Sequence, residues 1–133
     1  MLGDLWSFQG RYRTLHLTWI AFFLTFVVWF NLAPLATTVK ADLGLTVGQI
    51  RTVAICNVAL TIPARVLIGM LLDKFGPRVT YSSILVFSAI PCLLFASAQD
   101  FNQLVVARLL LSIVGAGFVI GIRMVAEWFP PKE

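Results

Sequence analysis

Charge is what this sequence has least of: Asp, Glu, Lys and Arg together make only 12% of its 133 residues, against 59% hydrophobic residues. A soluble domain carries about 25% charged residues. With so few, the chain cannot cover a water-facing surface, and lipid must cover most of it. Basic residues outnumber acidic ones by 10 to 6, but they are scattered, and the aromatics near them fall in apolar runs. The polar basic patches that track phosphates are missing, which excludes nucleic acid as a partner. Histidine occurs once, at His16, so no metal-ligand spacing exists. The two cysteines, Cys56 and Cys92, lie in the middle of apolar runs and read as small packing residues. A small secreted disulfide scaffold would need more of them. Paired carboxylates, a nucleophile with a base, and cofactor loops are all missing. The sequence therefore shows no enzyme signature and calls for no cofactor.

What is present is four long apolar runs, at about 15–39, 46–72, 79–98 and 102–129. A helix needs about 20 mostly apolar residues to cross the hydrocarbon core. The first run follows Arg11 and Arg13, as a signal peptide would, but it far exceeds a signal h-region of roughly 7–15 residues and lacks a small-x-small cleavage site. None of the runs alternates polar and apolar residues as a barrel strand does. The expected class is an all-α polytopic membrane protein, with residues 1–133 forming part of one transmembrane domain. Short loops make neighbouring spans antiparallel. Arg11, Arg13, Lys74, Arg78 and Lys132 collect on one side, against Lys40, Arg51 and Arg108 on the other. That bias places the first side, with both ends of the chain, in the cytoplasm, and the membrane is expected to be the plasma (inner) membrane.

Prolines lie inside three runs, at Pro34, Pro63 and Pro91, each removing a backbone hydrogen bond and favouring a kink. Gly117 and Gly121 form a G-x-x-x-G that permits close helix approach. The unusual residue is Arg65, deep in the second run. It lies roughly 10 Å from the inner helix end at 1.5 Å per residue. A central arginine costs about 2.5–3.5 kcal/mol on insertion scales. Steps of four residues connect Asn57, Thr61, Arg65, Gly69 and Asp73 in one stripe, which is expected to face a cavity. An ion pair would explain Arg65, but the available carboxylates, Asp73 and Glu127, sit at the helix ends. The other reading is an anionic ligand, for which a planar guanidinium offers a bidentate fork. Arg123 and Glu127 can pair at i, i+4. Arg108 and Arg51 lie within about two turns of the outer surface and are expected to reach it.

The hairpin between the second and third runs reads Gly69-Met70-Leu71-Leu72-Asp73-Lys74-Phe75-Gly76-Pro77-Arg78. It resembles the G-x-L-x-D-[RK]-x-G-x-[RK] signature of the major facilitator superfamily at every defined position. Physically, Gly69 allows close packing, Asp73 can cap a helix end, Gly76-Pro77 makes the turn and Arg78 anchors at the headgroups. The resemblance implies the first four helices of an N-terminal half, with the remainder of a twelve-span transporter as partner. It also implies a conformational latch in which Gly69, Asp73, Lys74, Gly76 and Arg78 act with Glu127 at the inner end of the fourth helix. Arg108 followed by Gly115 and Gly117 is loosely similar to the family's fourth helix.

A narrower resemblance is to the nitrate/nitrite porters of that superfamily. It is carried by Arg65, by Phe118 twelve residues before Pro130, and by the ending Arg123-Met-Val-Ala-Glu127-Trp128-Phe129-Pro130-Pro131-Lys132. It implies that Arg65 hydrogen-bonds a nitrate or nitrite ion and that the Phe118 ring helps sandwich it; the stripe adds Asn57 and Thr61 as cavity-lining residues. It further implies uptake or exchange by alternating access. Two other readings stand beside it: a superfamily transporter for another small anion such as a carboxylate, and a self-contained four-helix oligomeric membrane protein.

Overall fold

The computed structural model describes residues 6–129. Four helical spans run through them: Gly10–Asp42, Val47–Phe75, Pro77–Ala96 and Phe101–Trp128. Each is long and apolar enough to cross a membrane, and among the described residues no strand occurs. The protein is an all-α, polytopic integral membrane protein. The first span begins at Gly10, several residues before Leu15, and Pro130, Pro131 and Lys132 lie outside the described residues.

Local chemistry sets the hairpins. Between the first two spans, Thr46 opens the second with a capping box. Its hydroxyl accepts from the Gln49 N–H at 3.2 Å, and the Gln49 side chain accepts from the Thr46 N–H at 2.8 Å. Asp100 opens the fourth span by accepting from the Gln103 N–H at 2.9 Å. The turn between the second and third spans uses Gly76 at φ +80°, a conformation that L side chains rarely adopt, followed by Pro77 at the first helical position. The third span has no side-chain cap, so Asp73 does not cap a helix here. Its carboxylate is turned to Arg123 instead, at 3.1 Å.

Three spans are broken at one depth. The first divides into α1 (Gly10–Phe30) and α2 (Leu32–Asp42) at Asn31. The second divides into α3 (Val47–Ala59) and α4 (Thr61–Phe75) at Leu60. Pro34 and Pro63 explain these two breaks, since neither has an N–H to return to the preceding turn. The third span is one helix, α5 (Pro77–Ala96), and carries buried Pro91 without interruption. The fourth divides into α6 (Phe101–Ser112) and α7 (Gly117–Trp128) around a 3₁₀ turn at Ile113–Ala116. No proline causes that break. Instead, the Thr61 hydroxyl donates to the Ser112 carbonyl at 2.9 Å, and the Ser112 hydroxyl accepts from the Leu60 N–H at 3.3 Å. The two kinked helices satisfy each other's freed backbone, as helices in lipid must. A side chain inserted into the helical ladder in this way is a recognised cause of a break.

The fourth span is the enclosed one. Leu111, Val114, Ile120 and Met124 meet Ala64, Ile68 and Leu72 of the second span and Tyr81 and Ile84 of the third. Gly117 lies against Thr25 and Tyr81, where an added Cβ would meet both at 3.4–3.5 Å. The tightest approach is at Gly115, whose Cβ would fall 2.7 Å from the Trp29 ring.

Candidate anion site and the buried arginine

Arg65 on α4 and Phe118 on α7 come together: the guanidinium carbon lies 5.9 Å from the phenyl centroid, within cation–π reach. Both side chains are exposed on the open face of the four-span bundle, Phe118 by 40%. The Phe22 ring of α1 stands behind Phe118 at 5.7 Å. Arg65 forms no ion pair or hydrogen bond among the described residues, so its donors are uncommitted. A cation held against a ring with its donors free can receive a flat oxyanion edge-on.

Asn57 and Thr61 are not with Arg65 on that face. Both are buried, 8% and 4% exposed, and point into the contact with the fourth span. The break at Leu60 separates Asn57 from Arg65, and Thr61, which shares α4 with Arg65, sits at its first residue, where its hydroxyl is held by the fourth span. Thr61 bonds Ser112, and the Asn57 side chain accepts from Arg108.

Arg108 overturns the expectation that it reaches the outer surface: it is 0% exposed. One terminal nitrogen donates to the Asn57 Oδ1 at 3.2 Å and to the Trp29 carbonyl at 3.4 Å. The other donates to the Asn31 Oδ1 at 2.7 Å. The guanidinium also lies 4.3 Å over the Phe95 ring, while its Nε has no partner. The Trp29 indole N–H in turn donates to the Asn57 carbonyl at 2.8 Å. Arg108 points inward because its side of α6 packs on the first two spans. Among the described residues no carboxylate pairs with it, and amide dipoles and a ring face hold the charge instead. A signal for this was present in the sequence. Ser112 and Gly115 follow Arg108 at i+4 and i+7, small residues on its own face. Arg51, by contrast, is exposed.

At the opposite end, Arg123 bridges two acids, reaching Asp73 at 3.1 Å and Glu127 at 3.2 Å, all exposed. Asp73 and Glu127 are thus connected through Arg123. Lys74 lies over the Phe75 ring at 5.3 Å. Gly69 is half-buried with open space around it, and Gly76 makes the turn. Arg78 makes no ion pair among the described residues and lines a cavity between the first and third spans. Among the described residues no group of His, Cys, Asp and Glu could hold a metal ion.

A sequence profile described as Major Facilitator Superfamily matches residues 18–133. Over all 133 residues the chain is 68% identical to the nitrate/nitrite transporter NrtP of Picosynechococcus sp. and 68% identical to that of Nostoc punctiforme. It covers 25% and 27% of those two proteins. It is 33% identical over 126 residues to a probable nitrate/nitrite antiporter, NarK1, of Thermus thermophilus, covering 92% of this chain and 28% of that one. The chain thus spans about a quarter of the length of the curated relatives it matches. No solved structure matches it. The match over most of its length, on four antiparallel spans joined by the Gly69–Arg78 hairpin, makes the chain a member of the Major Facilitator Superfamily.

Proposed function

We propose that this chain forms the N-terminal quarter of a transporter that takes up or exchanges nitrate and nitrite, with Arg65 as the anion-binding cation. The observation that carries the reading is the Arg65–Phe118 pair, a guanidinium with free donors over a half-exposed ring. Nitrate is flat and singly charged. It can take two N–H donors from the guanidinium edge and lie against the phenyl face. Relatives that carry nitrate/nitrite transporter names at 68% identity support the substrate. The four spans supply one wall of the site, and the remainder of the transporter supplies the other. In alternating access the anion at the interface offsets part of the desolvation of Arg65 and so favours closure between the halves. The Asp73–Arg123–Glu127 chain, with Lys74, Arg78 and the Gly69 and Gly76 positions, forms the inner latch that is made and broken in each cycle. The inner face is the cytoplasmic one, in a plasma (inner) membrane.

Nitrate uptake by the full-length transporter carrying Arg65→Lys tests this. Lysine keeps the charge and loses the fork, and one charge-assisted hydrogen bond is worth about 1.5–3 kcal/mol. The half-saturation concentration should rise by roughly 10–100-fold while the amount of protein in the membrane stays the same. Unchanged uptake and affinity would remove Arg65 from the site. Competition by formate in place of nitrite would favour a carboxylate carrier.

A further inference from the structure

At the end of the bundle where α1 and α5 begin and α7 finishes, a cavity of about 650 Å³ opens between the first and third spans. Both helices present the same sequence of chemistry to it from the end inward. On α1 this runs from Arg13 through Thr14 to Leu17, and on α5 from Arg78 through Ser82 to Leu85. At 1.5 Å per residue, Arg78 to Leu85 covers roughly 10 Å of depth. The α5 residues are spaced i, i+4 and i+7, which puts them on one face. The cavity therefore opens on two cations, passes the Thr14 and Ser82 hydroxyls, and ends among Leu17, Ala21, Leu85 and Met124 with Thr18 and Tyr81 between them.

Neither arginine forms an ion pair or hydrogen bond with any described residue, and both are exposed. The acid nearest in sequence to Arg78, Asp73, is taken by Arg123, which also holds Glu127. Two cations thus share one concave site, with no counter-charge on them among the described residues.

We propose that this cavity binds the headgroup of an anionic phospholipid from the surrounding leaflet. The phosphate lies between Arg13 and Arg78, the ester oxygens lie at the Thr14 and Ser82 hydroxyls, and the first acyl carbons lie on Leu17 and Leu85. Guanidinium groups suit phosphate because they offer paired donors in a plane. Basic pockets between membrane helices at headgroup depth are a known way of selecting anionic lipids. A soluble anion of the same charge would satisfy the arginines but leave the leucine-lined depth in water, and that gradient commits the site to a lipid. The proposal is independent of the Arg65 reading, since none of its residues is part of that site; with the latch it shares Arg78 alone.

The test is native mass spectrometry of the full-length transporter in mild detergent with dioleoyl phosphatidylglycerol, or with the zwitterionic phosphatidylcholine of the same acyl chains. The anionic lipid should be retained about 25-fold better, because each of the two arginines contributes roughly a fivefold preference. Arg13→Gln and Arg78→Gln should each lower retention by about fivefold and together by about 25-fold. Arg13→Lys with Arg78→Lys should keep the preference, which separates lost charge from lost fold. Lys74→Gln, at the same end but outside the cavity, should leave retention unchanged, and millimolar inorganic phosphate should not displace the lipid. Four results would overturn the proposal. Equal retention of the two lipids would show no selectivity, and a Lys74→Gln loss as large as that of the arginine variants would show only diffuse surface attraction. Displacement by phosphate would make it a free-anion site. Retention of neither lipid would show that protein fills the cavity.

Discussion

Gly115→Ala tests the joint between the first and fourth spans most directly. The new Cβ would stand 2.7 Å from two carbons of the Trp29 ring. Carbon atoms settle at about 3.5 Å or more, so ring and helix must part by about 0.8 Å. The ring cannot simply swing aside, because its N–H donates to the Asn57 carbonyl at 2.8 Å and the Trp29 carbonyl accepts from Arg108. Overpacking costs about 1–3 kcal/mol, and a loosened hydrogen bond adds about 1 kcal/mol. Alanine returns about 0.5–1 kcal/mol of backbone freedom. The net expectation is a loss of about 1–3.5 kcal/mol. Unfolding in mixed micelles of dodecyl maltoside and SDS, followed by helical circular dichroism, measures it. In a Trp29→Phe background the smaller ring leaves room, and the same substitution should cost less than about 1 kcal/mol. Gly69→Ala, where nothing lies within 4 Å, serves as the comparison and should lose nothing. If Gly115→Ala proves neutral, or costs as much with Phe at position 29, the packing argument is wrong.

Two further outcomes follow from the same region. Arg108→Lys keeps the charge but cannot span Asn31 and Asn57 at once, so at least one charge-assisted bond is lost and about 1.5–3 kcal/mol of stability with it in the same micelle titration; an unchanged midpoint would show that the fork is not needed. Thr61→Val keeps the shape and removes the hydroxyl bond to Ser112, for which membrane helices give about 0.6 kcal/mol and at most about 1.7; a larger loss would mean that the 3₁₀ turn itself depends on that bond.

The four spans and the hairpin were legible because hydropathy and helix-end chemistry are local. The apolar runs end where charges and turn residues begin, and Gly76-Pro77 allows little besides a turn. The kink at Pro63 was legible for the same reason, but its partner Ser112 was not, since nothing in the sequence says which helix lies across from it. Arg108 was misjudged on distance alone. Two turns from the surface is within reach of a long side chain, but whether it points outward depends on which face of α6 packs inward. The small residues at i+4 and i+7, Ser112 and Gly115, mark the inward face. The Asn57–Thr61–Arg65 stripe failed differently. Leu60 interrupts the helix between Asn57 and Arg65, while Thr61, on the same helix as Arg65, opens it and is turned to Ser112. Arg65 and Phe118 lie 53 positions apart, and their pairing came from resemblance rather than from any pattern within the chain.

The hydrogen bonds of Arg108 also bear on how the chain is made. Synthesis runs from the N-terminus, so the helices bearing Asn31 and Asn57 enter the bilayer before the one bearing Arg108. A lone fourth helix would carry that cation into hydrocarbon at about 2.5–3.5 kcal/mol. Entering beside a completed hairpin that already displays two amide acceptors, it has a solvent waiting. The order of the genetic message thus matches the order in which donor and acceptors are needed, and the first two helices act as an assembly template for the fourth.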